Sequence, residues 1–218
     1  MNKPKLVFWI LFILLLSISI EATYHKIGHC GEPFWALDLE LIGSTILVPD
    51  DAGIHIIDVS EPNNPIYVSC LEIVDTCREI VVSVDIAYIA NTTDGLLILD
   101  VSNPQSPQII GSYNTPDCAL SLVVSDSIVY IADRNSGLQI INVSDPQNPE
   151  LVGSFDTPNA NHIAISGTLI FLSNFMGNIQ VIDVSDPSIP SLVYEYYKPQ
   201  EWVNDIVIID SIANVATR

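Results

Sequence analysis

The chain has 218 residues, of which 49% are hydrophobic and 15% charged, so it can bury a sizeable core and is not disordered. Its 7 Lys and Arg residues against 26 Asp and Glu residues give a formal net charge of −19. Such a surface repels phosphate backbones and anionic lipids, which argues against nucleic acid and membrane surfaces as partners. Cationic ligands, Ca²⁺ or basic proteins are attracted to it instead.

Residues 1–22 have the pattern of a secretory leader. Lys3 and Lys5 precede an uncharged apolar run over residues 6–20, and the small residue Ala22 follows it. This order predicts a signal peptide that is cleaved after Ala22. The run is short for a membrane span, which needs about 20 residues, so an uncleaved anchor is the alternative. We therefore predict that the mature chain is secreted or held at the cell surface, with no other contact with the membrane.

A motif of Asp or Asn, Val, Ser and two prolines recurs along the rest of the chain. Its first residue is Asp58, Asp100, Asn142 and Asp183 in turn, at intervals of 41–42 residues. A period of about 40–45 residues with several short strands per unit is typical of a β-propeller. The repeat therefore predicts an all-β chain that is built from four-stranded antiparallel blades.

The third unit shows the predicted strands best, and the other units align with it. Its runs at 119–125, 127–132, 138–144 and 150–155 are rich in Val and Ile, and they are separated by turn residues. Two further strands follow the fourth unit and begin a fifth. The four complete blades are predicted over residues 35–71, 77–113, 119–155 and 160–196.

The recurring motif has an architectural interpretation. The first proline of each motif lacks an N–H and ends the third strand, and the second stands where the outer strand begins. The Asp or Asn side chain accepts backbone N–H bonds through the corner. Asn142 keeps the acceptor oxygen but lacks the charge and basicity of Asp. The motif is therefore predicted to be a corner and not a catalytic site.

The segments GLLILDVSNPQSPQIIGSY (95–113) and GLQIINVSDPQNPELVGSF (137–155) resemble the LVIVD-repeat family of exported bacterial and archaeal β-propeller proteins. The resemblance covers residues 24–218. It implies a secreted or cell-surface propeller, often one module of a larger protein. It brings no general catalytic residues with it.

The C-terminal segment SIANVATR (211–218) aligns with SIVYIADR (127–134), which lies in the middle of a unit. Two interpretations stay open. In the first, the strand at 23–30 completes the last blade of a five-bladed ring that lacks one strand. In the second, the domain at 23–218 is truncated at its C-terminus and the ring contains more blades. We favour the second, because a half-formed blade leaves an unpaired strand edge.

Residues that differ between blades are where a symmetric fold binds its ligand. Alignment of the first strands places one polar column at the mouth of the axial channel: Asp38, Glu79, Ser121, His162 and Asp205. Oxygen ligands suit Ca²⁺, while His162 suits a transition metal. We predict Asp38, Glu79, His162 and Asp205 as a candidate site for a divalent cation. A hydrated channel rim without a ligand is the alternative.

The four cysteines are Cys30, Cys70, Cys77 and Cys118. Export and an even count favour disulfides, while free buried thiols are an equal alternative. No CxxC spacing occurs, which argues against a zinc knuckle.

Other histidines and tryptophans are assigned structural roles. His25, His29 and His55 are predicted to be surface residues on outer and third strands. Trp35 and Trp202 stand beside entries to first strands, where we expect them to pack under a loop. Stacking on a sugar is the alternative for both tryptophans.

The chain has no GxSxG, HExxH or glycine-rich phosphate loop. We therefore predict a non-enzymatic exported propeller that binds a protein or glycan at the cell surface, as a monomer or as a module of a larger chain. A metal-dependent hydrolase that uses the channel column is the alternative. A truncated product without independent function is a third. The sequons at Asn91 and Asn142 matter only if the host glycosylates exported proteins.

Overall fold

The computed structural model describes residues 36–197, 203–209 and 212–217. None of these residues lies in a helix that is long and apolar enough to cross a membrane. Several predicted features lie outside the described residues, namely the leader at 1–22, the strand at 23–30, His25, His29, Cys30, Trp35 and Trp202.

Four sheets each contain four antiparallel strands that pair in chain order, which confirms the predicted blades. Blade 1 consists of β1 (Glu40–Ile42), β2 (Thr45–Pro49), β3 (Gly53–Asp58) and β4 (Ile66–Glu72). Blade 2 consists of β5 (Cys77–Ser83), β6 (Ile86–Asn91), β7 (Gly95–Asp100) and β8 (Gln108–Tyr113). Blade 3 consists of β9 (Ser121–Ser125), β10 (Ile128–Ala132), β11 (Leu138–Asn142) and β12 (Glu150–Phe155). Blade 4 consists of β13 (Ala160–Ser166), β14 (Leu169–Asn174), β15 (Asn178–Asp183) and β16 (Ser191–Tyr197).

A fifth sheet consists of the two antiparallel strands β17 (Val203–Ile209) and β18 (Ile212–Thr217). Ile209 pairs with Ile212 in it, as Ser83 pairs with Ile86 in blade 2. This register makes β17 a first strand and β18 a second strand, as the sequence predicts for the start of a fifth unit.

The corners between third and outer strands have the predicted capping bond. The Oδ1 atom of Asp58 accepts a hydrogen bond from the Ser60 amide at 2.8 Å. Asn142 accepts the same bond from the Ser144 amide at 2.9 Å. Since an uncharged residue makes the bond equally well, the corner needs an acceptor oxygen and not a charge. Equivalent bonds join Asp100 to Ser102 and Asp183 to Ser185.

The hydrophobic core lies between the faces of neighbouring blades. Ile54 and Ile56 of blade 1 belong to one fully buried cluster with Ile89 and Leu99 of blade 2. Comparable clusters join blade 2 to blade 3 and blade 3 to blade 4. The cluster against the fifth sheet is smaller, and its buried members are Ala164, Val203 and Ile206.

Outer strands fit closely against the proline corner of the next blade. A Cβ atom on Gly111 of β8 would lie 1.9 Å from the carbonyl oxygen of Pro146, and one on Gly153 of β12 would lie 2.2 Å from that of Pro187. In blade 1 the equivalent residue is Ser69, whose hydroxyl donates to the carbonyl of Pro104 at 2.6 Å. This position therefore has room for glycine or for a small hydrogen-bonding residue.

Candidate functional site

The predicted polar column lies at the entry to the first strands, where it joins successive blades. Asp38 Oδ2 accepts a hydrogen bond from the amide of Ile80, which follows Glu79, at 3.0 Å. Glu79 Oε2 accepts one from the Leu122 amide at 2.7 Å. Each acceptor side chain thus reaches across to the backbone of the next first strand, so the column has a structural role between successive blades.

The column continues through blade 3 and changes at the fifth sheet. Ser121 Oγ accepts a hydrogen bond from the Ile163 amide at 3.2 Å. The next connection is made by Asn161, whose side-chain amide donates to the carbonyl of Val203 at 3.1 Å. Asp205 Oδ1 accepts a bond from the neighbouring Ile206 amide at 2.7 Å and does not reach into another described blade.

Burial and mutual repulsion perturb the carboxyl groups of the column. Burial, the largest cause, raises the pKa of Glu79 to about 7, and the charges of Asp38 and Asp205 raise it further. Hydrogen bonds from Ser121 and Leu122 act in the opposite direction. Burial also raises the pKa of Asp38, with a smaller contribution from Asp205. The three carboxyl groups are therefore close enough for their charges to interact.

The pKa of His162 is influenced by Asp205 of the same column. The pKa of His162 is lowered, and burial is the largest cause. The charge of Asp205 acts in the opposite direction, and the Arg78 guanidinium adds a smaller lowering. Asp38, Glu79 and Asp205 thus lie within range of one another's charge, and His162 lies within range of Asp205. Within the described residues, no group of three or more His, Cys, Asp and Glu side chains is arranged to hold a metal ion. The cation site stays a prediction.

The prediction that His55 is a surface residue is wrong. His55 is only 4% exposed, and its Nε2 atom lies 2.8 Å from Oδ2 of the fully buried Asp50. The other oxygen of Asp50 accepts bonds from the amides of Ala52 and Gly53 at 2.7 and 2.9 Å. His55 was misassigned because an isolated histidine in a strand carries no sign of its partner, which stands five residues earlier across the turn.

The cysteines divide between the two alternatives that the sequence left open. Cys70 is disulfide-bonded, whereas Cys77 and Cys118 are free. Burial raises the pKa of Cys77 to about 12, and the charges of Asp50 and Asp75 act in the same direction. Cys77 is therefore held as an unreactive thiol in the core.

Of the two sequons, the one at Asn91 is inaccessible in the folded chain. Asn91 is fully buried, and neither polar atom of its side chain has a hydrogen-bond partner in the described part of the structure. Asn142 is half-buried and caps its corner.

A second candidate surface, which the sequence analysis did not identify, lies on the outer strand of blade 4. All seven residues of β16 are exposed, whereas β8 and β12 are half-buried along their centres. Tyr194, Tyr196 and Tyr197 are 60%, 49% and 60% exposed. This strand therefore carries five exposed large apolar side chains, since Leu192 and Val193 are exposed as well.

Tyr194 stands at the glycine position of the outer strands. It pairs with Val181, as Gly153 pairs with Ile140 and Gly111 with Ile98. The sequence signal that identifies it is therefore a tyrosine in place of the glycine in IIGSY and LVGSF. This substitution becomes informative only when the close contact between that glycine and the proline carbonyl of the next blade is known.

A cleft of about 530 Å³ separates this strand from the fifth sheet. Tyr194 and Tyr196 form one wall, and Ala213, Val215 and Thr217 of β18 form the other. The floor includes Phe171, Ile179 and Val181 of blade 4. We refer to this feature as the aromatic cleft.

Comparison with known proteins matches the LVIVD repeat to four successive segments of the chain, residues 38–73, 74–115, 118–157 and 159–197. The chain belongs to the LVIVD repeat family. Its four LVIVD repeats coincide with the four complete blades, and the last one ends with β16. The polar column and Tyr194 are thus variations between LVIVD repeats.

Among solved structures, the chain is similar to the computationally designed Ika8 protein, with a TM-score of 0.66 and 13% sequence identity. The match covers 82% of this chain and 54% of the designed protein, so the LVIVD-repeat chain spans about half its length. At this identity the similarity concerns the fold alone. A search of curated proteins gives no significant match.

Proposed function

We propose that this LVIVD-repeat chain is a non-enzymatic, exported β-propeller scaffold that binds a protein partner through the outer strand of blade 4. The observation that carries the proposal is the full exposure of β16, with three tyrosines, Leu192 and Val193. An exposed apolar patch of this kind marks an interaction surface more often than a free surface. Tyrosine is also among the residues that contribute most to protein interfaces.

The electrostatic character of the chain favours a particular kind of partner. A formal net charge of −19 attracts a basic surface and repels an acidic one over several ångströms. Export by the predicted leader at 1–22 would bring the scaffold to a secreted or cell-surface partner, as a monomer or within a longer chain. A glycan that stacks on the tyrosines is the competing ligand class.

Site-specific photo-crosslinking tests the proposal. A benzophenone amino acid is placed at position 194 or, as a control, at Val84, which is 82% exposed on the hairpin of blade 2. In intact cells that produce the chain, we expect a discrete protein adduct from position 194 and not from position 84. Equal labelling at both positions, or labelling of polysaccharide only, contradicts a protein-binding role for β16.

A hydrolase or cation site at the channel mouth is the second candidate function. It is favoured by the pKa of Glu79, raised to about 7 beside Asp38, Asp205 and the nearby His162. Perturbed carboxyl groups of this kind are more frequent at functional sites than elsewhere. Calorimetric titration with Ca²⁺ and with Zn²⁺ is the test. Heat that is lost in His162→Ala supports the site, and no heat from either ion removes it.

A further inference from the structure

We propose that the exported chain carries an N-linked glycan on Asn142 and none on Asn91. This modification goes beyond the proposed function, but it rests on the export that residues 1–22 predict. Both asparagines begin the acceptor pattern Asn-X-Ser/Thr, as NVS at 142–144 and NTT at 91–93. Since the pattern alone does not distinguish the two, the proposal depends on where the fold places their side chains.

Asn142 lies at a surface corner, and the atom that would carry the glycan is accessible. It ends β11 and is half-buried, while Ser144 and Asp145, which follow it, are exposed. Its Oδ1 atom accepts a hydrogen bond from the Ser144 amide at 2.9 Å. Its Nδ2 atom has no partner among the described residues, and it is not enclosed as both polar atoms of Asn91 are. The two atoms of this amide therefore have separate roles, since Oδ1 caps the corner and Nδ2 is available for modification.

Transfer of a glycan to Nδ2 leaves the cap of the corner in place. In this reaction Nδ2 attacks the anomeric carbon of a lipid-linked oligosaccharide, which a membrane-bound oligosaccharyltransferase presents. A C–N bond forms, the bond from that carbon to the phosphate oxygen breaks, and one Nδ2 proton passes to the leaving lipid phosphate. Oδ1 is a carbonyl oxygen before and after the reaction, so it still accepts the bond from the Ser144 amide.

The other three corners indicate that an amide nitrogen is the feature they lack. Their capping residues are Asp58, Asp100 and Asp183, each followed by Val and an exposed Ser. Asp100 and Asp183 accept the same amide bond, at 2.9 and 2.8 Å, and both are half-buried like Asn142. A carboxylate accepts this bond but has no nitrogen to which a glycan can be attached. The exchange of Asp for Asn in the third repeat therefore creates an acceptor without changing the corner.

Asn91 lies where a glycan cannot be accommodated. It is fully buried at the end of β6, opposite Cys77, which belongs to the core between blades 1 and 2. A transferase that acts on the folded chain cannot reach it. A glycan attached before folding would have to be enclosed between the two blades, and a group of that size would prevent them from packing. By either route the folded, exported chain has a bare Asn91.

Peptide mapping by mass spectrometry tests the proposal on the full chain, collected outside the cells that produce it. We expect an oligosaccharide mass on the peptide that contains Asn142 and none on the peptide that contains Asn91. Asn142→Asp, which keeps the cap, and Ser144→Ala, which removes the hydroxyl of the acceptor pattern, are each expected to lose the modification completely. An exported chain with a bare Asn142, or one with a glycan on Asn91, overturns the proposal.

A gain-of-site variant tests whether the corner is what makes the acceptor. Asp183→Asn, introduced together with Asn142→Asp, transfers the NVS pattern from the third corner to the fourth. Because the capping bonds at 142 and 183 measure 2.9 and 2.8 Å, we expect the glycan to move to position 183. Thermal melting checks that the double variant is folded. A folded double variant without a glycan, from cells that modify the parent chain, overturns the assignment of the acceptor to the corner.

The outcomes also separate this proposal from the export on which it rests. Cell fractionation and immunoblotting locate the chain before the mapping. A chain outside the cell with a bare Asn142 overturns the glycan alone and leaves the exported scaffold as proposed. A chain that stays in the cytoplasm with a bare Asn142 overturns both the export and the glycan.

Discussion

The carboxylate of Glu79 accepts a hydrogen bond from the amide of Leu122 at 2.7 Å, and so connects the first strands of blades 2 and 3. Burial meanwhile raises the pKa of Glu79 to about 7. The carboxyl group that joins these two blades is therefore only partly ionised near neutral pH. Its two protonation states differ in how strongly Asp38 and Asp205 repel it, which makes this connection sensitive to pH.

Replacing Glu79 by Gln is expected to change the pH dependence of stability. A carboxyl group whose pKa is higher in the folded chain binds its proton more tightly there, so it stabilises the fold at low pH. This stabilisation is present below the unfolded pKa of 4.5 and is lost as the pH rises through about 7. Glu79→Gln removes this pH-dependent loss of stability, because glutamine has no proton to lose in this range. We expect its melting temperature, relative to the parent, to increase between pH 5 and pH 8 by about 5–10 °C, the effect of roughly 2–3 kcal/mol.

The matched control for this measurement is Glu150→Gln, on the exposed start of β12. Its melting temperature relative to the parent is expected to stay constant over the same pH range. A Glu79→Gln curve that runs parallel to the parent curve would mean that Glu79 is ionised normally in the folded chain.

The glycine of the outer strands is predicted to be sterically required. A Cβ atom at Gly111 would lie 1.9 Å from the Pro146 carbonyl, so Gly111→Ala must push two blades apart. Overpacking of this kind costs about 1–3 kcal/mol. We expect urea unfolding to give a loss in that range for Gly111→Ala and none for Ser112→Ala, its exposed neighbour. Similar midpoints for both variants would show that the blades separate without cost.

The sequence predicts the blades well because their determinants are local and repeat. The motif at Asp58 and Asn142 contains both the acceptor and the Ser amide that it caps, so the corner is readable within three residues. The alignment of first strands identified the polar column, but the bonds from its side chains to the next first strand were not predicted. Whether Asp38 binds a ligand or the Ile80 amide depends on a neighbour 42 residues away and on sub-ångström placement. The importance of Tyr194 likewise follows from the close approach of Pro146 to Gly111, which no local pattern contains.

The cap of the corner is expected to depend on an oxygen acceptor alone. Asn142→Ala removes the bond to the Ser144 amide, which measures 2.9 Å, while Asn142→Asp keeps an acceptor in place. A hydrogen bond of this type contributes about 0.5–1.5 kcal/mol. We expect Asn142→Ala to lower the free energy of unfolding by that amount and Asn142→Asp to leave it almost unchanged, as measured by urea titration. A large loss in the Asp variant alone would contradict an uncharged role for the motif.

The buried pair of Asp50 and His55 is expected to be coupled strongly. His55→Leu leaves one oxygen of the fully buried Asp50 side chain without its imidazole partner at 2.8 Å, and leaving a buried polar group unsatisfied costs about 1–3 kcal/mol.

By strand register, Asn91 and Leu97 of blade 2 occupy the positions that Asp50 and His55 occupy in blade 1, and neither of them is charged. Adding Asp50→Asn to His55→Leu therefore gives blade 1 the two residues of blade 2. The new Asn side chain can still accept from Ala52 and Gly53, as Asn174 does from Met176 and Asn178 at 2.9 and 3.0 Å. We therefore expect the double variant to recover more than half of the stability lost in His55→Leu. A double-mutant cycle by chemical denaturation measures the coupling, and strictly additive losses would contradict a direct pair.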